Sequence, residues 1–209
     1  MLRRAAVAAL VFGRRSPTVL TMTAPWYRNF FRRSQLPDLE TLKARADDGD
    51  ADAQFSLGLQ LASGAGEAQD YAQAAEWYRK AAEQSHCLAQ FNIGVMYSKG
   101  QGVPRSDAEA LIWFQKAAHQ GNPRAQFNLG MSHYRASLEG LPKNVPEARV
   151  EAYKWFQLAD AQGCVGSASA RESVNLCMTR EEVTDGNRRA AAFVAEGPGH
   201  ASVPAGISR

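Results

Sequence analysis

The chain has 209 residues, 45% of them hydrophobic and 22% charged, enough apolar material to bury a core in one to one and a half ordinary domains. Its net charge of +3 conceals two parts: residues 1–37 carry seven arginines and no acid, so the remainder holds 17 basic against 21 acidic side chains, a net −4. That mildly acidic body lacks the basic stripe of a nucleic-acid binder, and the longest apolar run, Ala5 to Phe12, is far shorter than the roughly 20 residues of a bilayer-spanning helix.

Residues 1–37 read as a basic leader or extension without fixed structure. The basic start and short apolar stretch suit a secretory signal, but Gly13, Arg14 and Arg15 stand where a small-residue cleavage site belongs. The arginine-rich, acid-free composition equally suits an organellar transit peptide, and Met22 offers an alternative start that leaves a short basic-aromatic extension. Trp26 to Arg33 interleaves aromatics with arginines, a composition able to rest weakly on an anionic membrane surface or to cover the end of the folded array. A cytoplasmic location is expected, with export or a mitochondrial address as the alternatives a working leader would bring.

From residue 38 the pattern becomes helical. Leu39, Leu42 and Ala46 predict a capping helix within residues 38–49. Then "AQFSLG" at Ala53, "AQFNIG" at Ala89 and "AQFNLG" at Ala125 recur at an interval of 36 residues, and a second block follows each: Trp77, Trp113 and Trp155, trailed by Tyr78, Phe114 and Phe156 and by Ala81, Ala117 and Ala159. A repeat of this length points to an all-α solenoid, with copies over 50–85, 86–121 and 122–163. Ala53, Leu57, Gly58 and Leu61 lie on one face of a first helix, and Ala74, Trp77, Tyr78 and Ala81 on one face of a second. Each copy is therefore predicted to be an antiparallel helix pair.

Between the two helices of the second copy, Gly100 and Gly102 permit a chain reversal and Asp107 is placed to cap the next helix. Gly58, Gly94 and Gly130 cost helix stability and so predict the close approach of a neighbouring helix, while the tryptophans are expected to fill the space between one pair and the next. The third copy gains six residues within "YRASLEGLPKNVPEA", where a glycine and two prolines predict a loop. Residues 164–196 read as a degenerate capping pair, its second helix opened by a capping box of Thr179 and Glu182, and 197–209 as a disordered tail.

Chemistry is sparse. No Ser-x-x-Lys, Gly-x-Ser-x-Gly or Walker-type glycine loop is present, and Gly100 with Gly102 is a lone Gly-x-Gly in a place that needs a turn. His86, His119, His133 and His200 do not combine with each other or with Cys87, Cys164 and Cys177 at metal-ligand spacing, so neither a catalytic centre, a metal nor another cofactor is expected.

The pattern A-x-x-x-L-G-x-x-[YL], G-x-G-V, A-x-x-W-[YF]-x-K-A-A-x-Q-G resembles the Sel1-like repeat, a relative of the tetratricopeptide repeat. The second copy carries it through Ala89, Ile93, Gly94, Tyr97, Gly100, Gly102, Val103, Ala110, Trp113, Phe114, Lys116, Ala117, Ala118, Gln120 and Gly121. The first copy lacks the valine, and the third has His133 for the tyrosine and Leu158 for the lysine, departures that weaken its geometry more than its identity. The resemblance implies an α/α superhelix that works as a non-catalytic adaptor or scaffold for a protein or peptide. Some secreted relatives clamp each repeat with paired cysteines, but Cys87 and Cys164 fall two repeats apart and no such bond is expected.

Opposite the core face, the first helices carry Phe55, Ser56 and Leu59, then Phe91, Asn92 and Val95, then Phe127, Asn128 and Met131. By resemblance to tetratricopeptide arrays these line a concave groove, with Asn92 and Asn128 placed to bond a bound segment; the phenylalanines have the competing role of packing within the array. Two rival functions remain from the sequence: a hydrolase of cell-wall or β-lactam-like substrates, and a mitochondrial assembly factor with functional thiols.

Overall fold

A computed structural model describes residues 39–64, 69–139 and 144–197. The leader, the aromatic-arginine segment at 26–33, the centre of the third-copy insertion and the tail beyond residue 197 lie outside the described residues. Those described form helices and connecting turns: α1 (Leu39–Asp47), α2 (Ala51–Ser63), α3 (Tyr71–Glu83), α4 (Cys87–Lys99), α5 (Asp107–His119), α6 (Pro123–Glu139), α7 (Val145–Ala161), α8 (Ser167–Asn175) and α9 (Arg180–Glu196). Successive helices from α1 to α8 pack on one another, so the fold is an all-α repeat solenoid. Among the described residues no helix is long and apolar enough to cross a membrane.

Each first helix begins at a residue that satisfies its free amides. Asp50 accepts from the Asp52 and Ala53 amides at 3.0 and 3.1 Å, His86 accepts through Nδ1 from the Ala89 amide at 3.1 Å, and Asn122 accepts through Oδ1 from the Ala125 amide at 3.0 Å. Three different side chains therefore do one job at the same place in the repeat. Asp107, expected to cap α5, does not: the neighbouring Ser106 hydroxyl accepts from the Glu109 amide at 3.2 Å, and Asp107 is the first helical residue. There its charge complements the positive end of the helix. The Thr179–Glu182 capping box forms as expected, with contacts of 3.3 and 2.7 Å.

The glycines receive rings. A Cβ on Gly58 would lie 2.8 Å from the Tyr78 ring, one on Gly94 2.8 Å from Phe114, and one on Gly130 2.6 Å from Phe156. The aromatic after each tryptophan thus rests against the first helix of its own repeat. The tryptophan points the other way along the chain: Trp113 packs with Ala74, Ala75 and Tyr78 of the preceding unit, and Trp155 with Ala110 and Phe114. Among the described residues Trp77 has only α1 before its own repeat, and it stays half-buried against the cluster of Leu42 and Ala46. In the turn after α4, Gly102 admits the Tyr71 carbonyl, which would stand 2.0 Å from a Cβ there.

A second connection has no counterpart in the sequence reading. Gln54, Gln90 and Gln126, the second letter of each hexapeptide, are buried, and their amides donate to the carbonyls of Ala46, Ala82 and Ala118 at 3.0, 3.1 and 3.2 Å. Those carbonyls lie in the last turns of α1, α3 and α5; each already accepts one amide of the following turn, from Gly49, Ser85 and Gly121, and the glutamine uses the second lone pair. Each buried oxygen then accepts from a glutamine closing the second helix of its own repeat: Gln84 at 2.8 Å, Gln120 at 2.7 Å and Gln162 at 2.9 Å. One amide pair thereby ties three helices at every joint.

The third copy differs from its expected form. Most of the extra residues lengthen helices: α6 and α7 each have 17 residues where α4 and α5 have 13. "RASLE" contains no breaker, and Pro146 stands in the first turn of α7, where its missing amide costs nothing. Nor does the loss of the lysine at Leu158 remove the cation above the tryptophan, because Lys154 lies 4.4 Å from the Trp155 ring just as Lys80 and Lys116 sit over Trp77 and Trp113. Of the expected terminal pair, α8 follows the array on α7 and α6, whereas α9 lies against α7. Gly186 meets the Tyr153 ring, and Phe193 packs edge-on to Trp155 at 5.4 Å between centroids.

Candidate functional site

The face singled out on the first helices divides on inspection into packing residues and free ones. Phe55 stacks on His86 at 4.6 Å and tilts against Tyr78 at 5.8 Å; Phe91 lies 5.9 Å from Phe114, and Phe127 5.6 Å from Phe156. All three rings are half-buried and support the ring that rests on the glycine. Val95 likewise packs at the edge of a core cluster. Ser56 is exposed and bonds the Asp52 carbonyl of its own helix at 2.7 Å, while Leu59 is exposed.

Asn92 is engaged as well. Burial pushes the Tyr78 phenol up, and a hydrogen bond with Asn92 pulls it the other way, so the asparagine side chain is held by its own array. Asn128 differs: among the described residues it has no hydrogen-bond partner. Together with Met131 it lines a cleft of about 280 Å³ between α5 and α6. Leu111 and Phe114 of α5 form apolar wall, and Ser132, Arg135 and Arg105 add polar rim. Phe55, Ser56, Phe91, Asn92, Val95 and Phe127 do not line this cleft.

Arg105, Ser132 and Arg135 escaped the sequence reading although three of the four cleft residues on α6 were within reach. Asn128, Met131, Ser132 and Arg135 stand at i, i+3, i+4 and i+7, a single helical stripe. Treating the chain after Tyr134 as loop cut the stripe before its last member. Arg105 carries Asp107 at 3.4 Å, both side chains being mostly exposed, and Arg135 has no ion pair among the described residues.

The other concentration of charge, between α7 and α9, is internally neutralised. Arg189 reaches Glu147 at 2.5 Å and Glu151 at 2.8 Å as well as Asp185, Arg149 reaches Glu182 at 2.9 Å, and Lys154 reaches Glu151 at 2.7 Å. Burial pushes Glu151 up, yet the hydrogen bond and charge of Lys154, with Arg189 behind them, leave it below the ordinary carboxylate range. Burial lowers His133 on α6, Glu151 and Glu147 pulling it up and Lys154 down. With each acid matched by a cation, the group reads as a clamp between helices. Among the described residues no group of three or more His, Cys, Asp or Glu is placed to hold a metal ion, and Cys87, Cys164 and Cys177 are free thiols.

Comparison with known proteins matches this geometry. A family profile described as Sel1 repeat matches residues 51–86, 87–122 and 123–164, more than half of the chain. Among solved structures, a protective antigen of uropathogenic Escherichia coli strains displaying an SLR fold superposes with a TM-score of 0.64 at 26% identity, over 80% of this chain. This chain spans only 36% of that antigen. A Sel1 repeat protein from Oxalobacter formigenes superposes with a TM-score of 0.55 at 36% identity, over 66% of this chain and 99% of its own. No curated protein matches the chain.

Proposed function

The chain belongs to the Sel1 repeat family, whose members are generally non-catalytic protein-interaction scaffolds, and on that premise we propose that it holds a segment of a partner protein in the cleft between α5 and α6. The observation that carries the reading is Asn128: an asparagine on a helix face, with an amide that donates and accepts, without a partner among the described residues and beside the apolar Met131, Leu111 and Phe114. An extended peptide needs both kinds of contact, one for its main chain and one for its side chains. Phe91 and Asn92 form the neighbouring part of the same face, Asn92 entering only by exchanging its bond to Tyr78. Phe55, Ser56, Val95 and Phe127 fall outside the cleft.

A cytoplasmic location is part of this proposal, because three unpaired thiols suit a reducing compartment. Affinity capture from native cells with the full chain and with the Asn128→Ala/Met131→Ala variant, quantified by mass spectrometry, tests the site. Defined proteins should be depleted from the variant sample. Equal recovery by a variant that keeps its helical circular dichroism removes the cleft as the binding surface.

A further inference from the structure

Resting on the scaffold reading, we propose that this cleft selects an acidic segment of its partner protein, with Asp or Glu side chains seated against Arg105 and Arg135. Charge carries the argument. Outside the leader the chain is net acidic, yet this cleft is bordered by two guanidinium groups against one carboxylate, that of Asp107. Elsewhere the arginines of α7, α8 and α9 are largely answered by carboxylates of the same chain: Arg149 by Glu182, Arg171 by Asp160, Arg188 by Asp185, and Arg189 by Glu147 and Glu151. Arg135 has no such answer among the described residues.

Among the described residues Arg105 has only Asp107, through a single contact of 3.4 Å between side chains 68% and 61% exposed. A pair that long and that wet gives way readily to a better-placed acid. A guanidinium presents its donors in a planar fork matched to a carboxylate, so an incoming Asp or Glu gains two parallel bonds where Asp107 makes one. Asn128 and Ser132 lie on the same stripe of α6 and can bond the main chain beside that acid. Leu111, Phe114 and Met131 favour an aliphatic neighbour. The space, about 280 Å³, takes a few side chains of an extended segment. A phosphate polymer fits poorly, because beyond these two cations it would face the acidic body.

The test uses a random peptide library displayed on phage and selected on the full chain, with the strongest peptide synthesised carrying a fluorescein label and titrated by anisotropy. Selected peptides should be enriched in Asp or Glu next to an aliphatic residue. Affinity should fall about tenfold or more in Arg135→Glu and in Arg105→Glu, and should weaken between about 50 and about 200 mM salt. Arg124→Glu, an exposed charge reversal on the same helix that does not line the cleft, should leave it unchanged. Equal weakening by Arg124→Glu, or loss of binding when the peptide's C-terminus is amidated, overturns the proposal in favour of general attraction or of a terminal carboxylate. Neutral peptides that bind in an Asn128-dependent way overturn the acidic preference and leave the scaffold reading intact. Peptides insensitive to every cleft variant, Asn128→Ala included, overturn both.

Discussion

Between α3 and α4 the joint is neutral: the Gln90 amide reaches the Ala82 carbonyl, Gln120 closes on Gln90, and Trp113 fills the remaining space. Between α7 and α9 the joint is ionic, with Arg189 and Arg149 spread over Glu147, Glu151 and Glu182. An amide supplies a donor and an acceptor without a net charge to desolvate, so Gln90 can be 3% exposed. The charged groups are tolerated because they are paired and reach water at the edge: the Glu147 side chain is 62% exposed, whereas Glu151 and Glu182, at 20% and 11%, rely on Lys154, Arg189 and Arg149. Joints inside the array are therefore dry and indifferent to salt, whereas the closing joint answers to salt and acid.

That contrast can be broken in three ways. The largest effect should come from Trp113→Ala, which empties an interior joint at a cost of about 3–5 kcal/mol in chemical denaturation. Trp77→Ala should cost clearly less, because Trp77 is half-buried at the start of the array. Equal losses would mean that the position in the repeat, and not the preceding unit, sets the energy.

Next comes a matched pair of substitutions. Gln126→Ala removes two hydrogen bonds, to the Ala118 carbonyl, which keeps the Gly121 amide at 3.0 Å, and from the Gln162 amide, which keeps the Leu158 carbonyl at 3.4 Å, and should cost about 1–3 kcal/mol at low and high salt alike. Arg189→Met should cost less than about 1 kcal/mol, and the difference from wild type should shrink as salt screens its partners. A salt-dependent Gln126 variant would erase the distinction between the joints.

The smallest effect is a pH slope. His133 and Glu151 both titrate below their ordinary values in the folded chain, so the unfolded chain binds more protons and stability rises with pH. Their contribution is present above the ordinary values of 6.5 and 4.5 and is lost as pH falls through the lower folded ones, His133 first. Thermal melts of wild type from pH about 7.5 to about 5.5 should show the onset of the His133 loss, which His133→Gln should flatten, while the Glu151 loss lies at lower pH. An unchanged slope in the variant would place the acid sensitivity elsewhere.

The repeat architecture was legible because Ala53, Leu57 and Gly58 recur in register with their two copies, and such recurrence needs no knowledge of contacts. The Thr179–Glu182 box was legible because both members are local in the chain. Asp107 was misplaced by one position since Ser106 and Asp107 can each cap, and only backbone geometry chooses between them. The glutamines were hidden for a deeper reason. A polar letter in a helix reads as surface until a partner carbonyl 8 residues earlier is seen beneath it. The site was half legible: Asn128 and Met131 stand together, but the phenylalanines are pinned by rings from the second helices, a contact no single-helix wheel contains.

The glutamine relay also describes how such a chain can grow. Each copy carries its own buried glutamine, its own closing glutamine and, near the end of its second helix, the carbonyl that the following copy will use. A tandem duplication of 36 residues within the array therefore arrives with both halves of the joint already made. Growth stops where the plug changes. Gln54, Gln90 and Gln126 are each the fourth residue of their helix, and the fourth residue of α8 is Ala170, which has no side-chain amide to offer, so lengthening past this point requires new glutamines while shortening by a whole copy requires none.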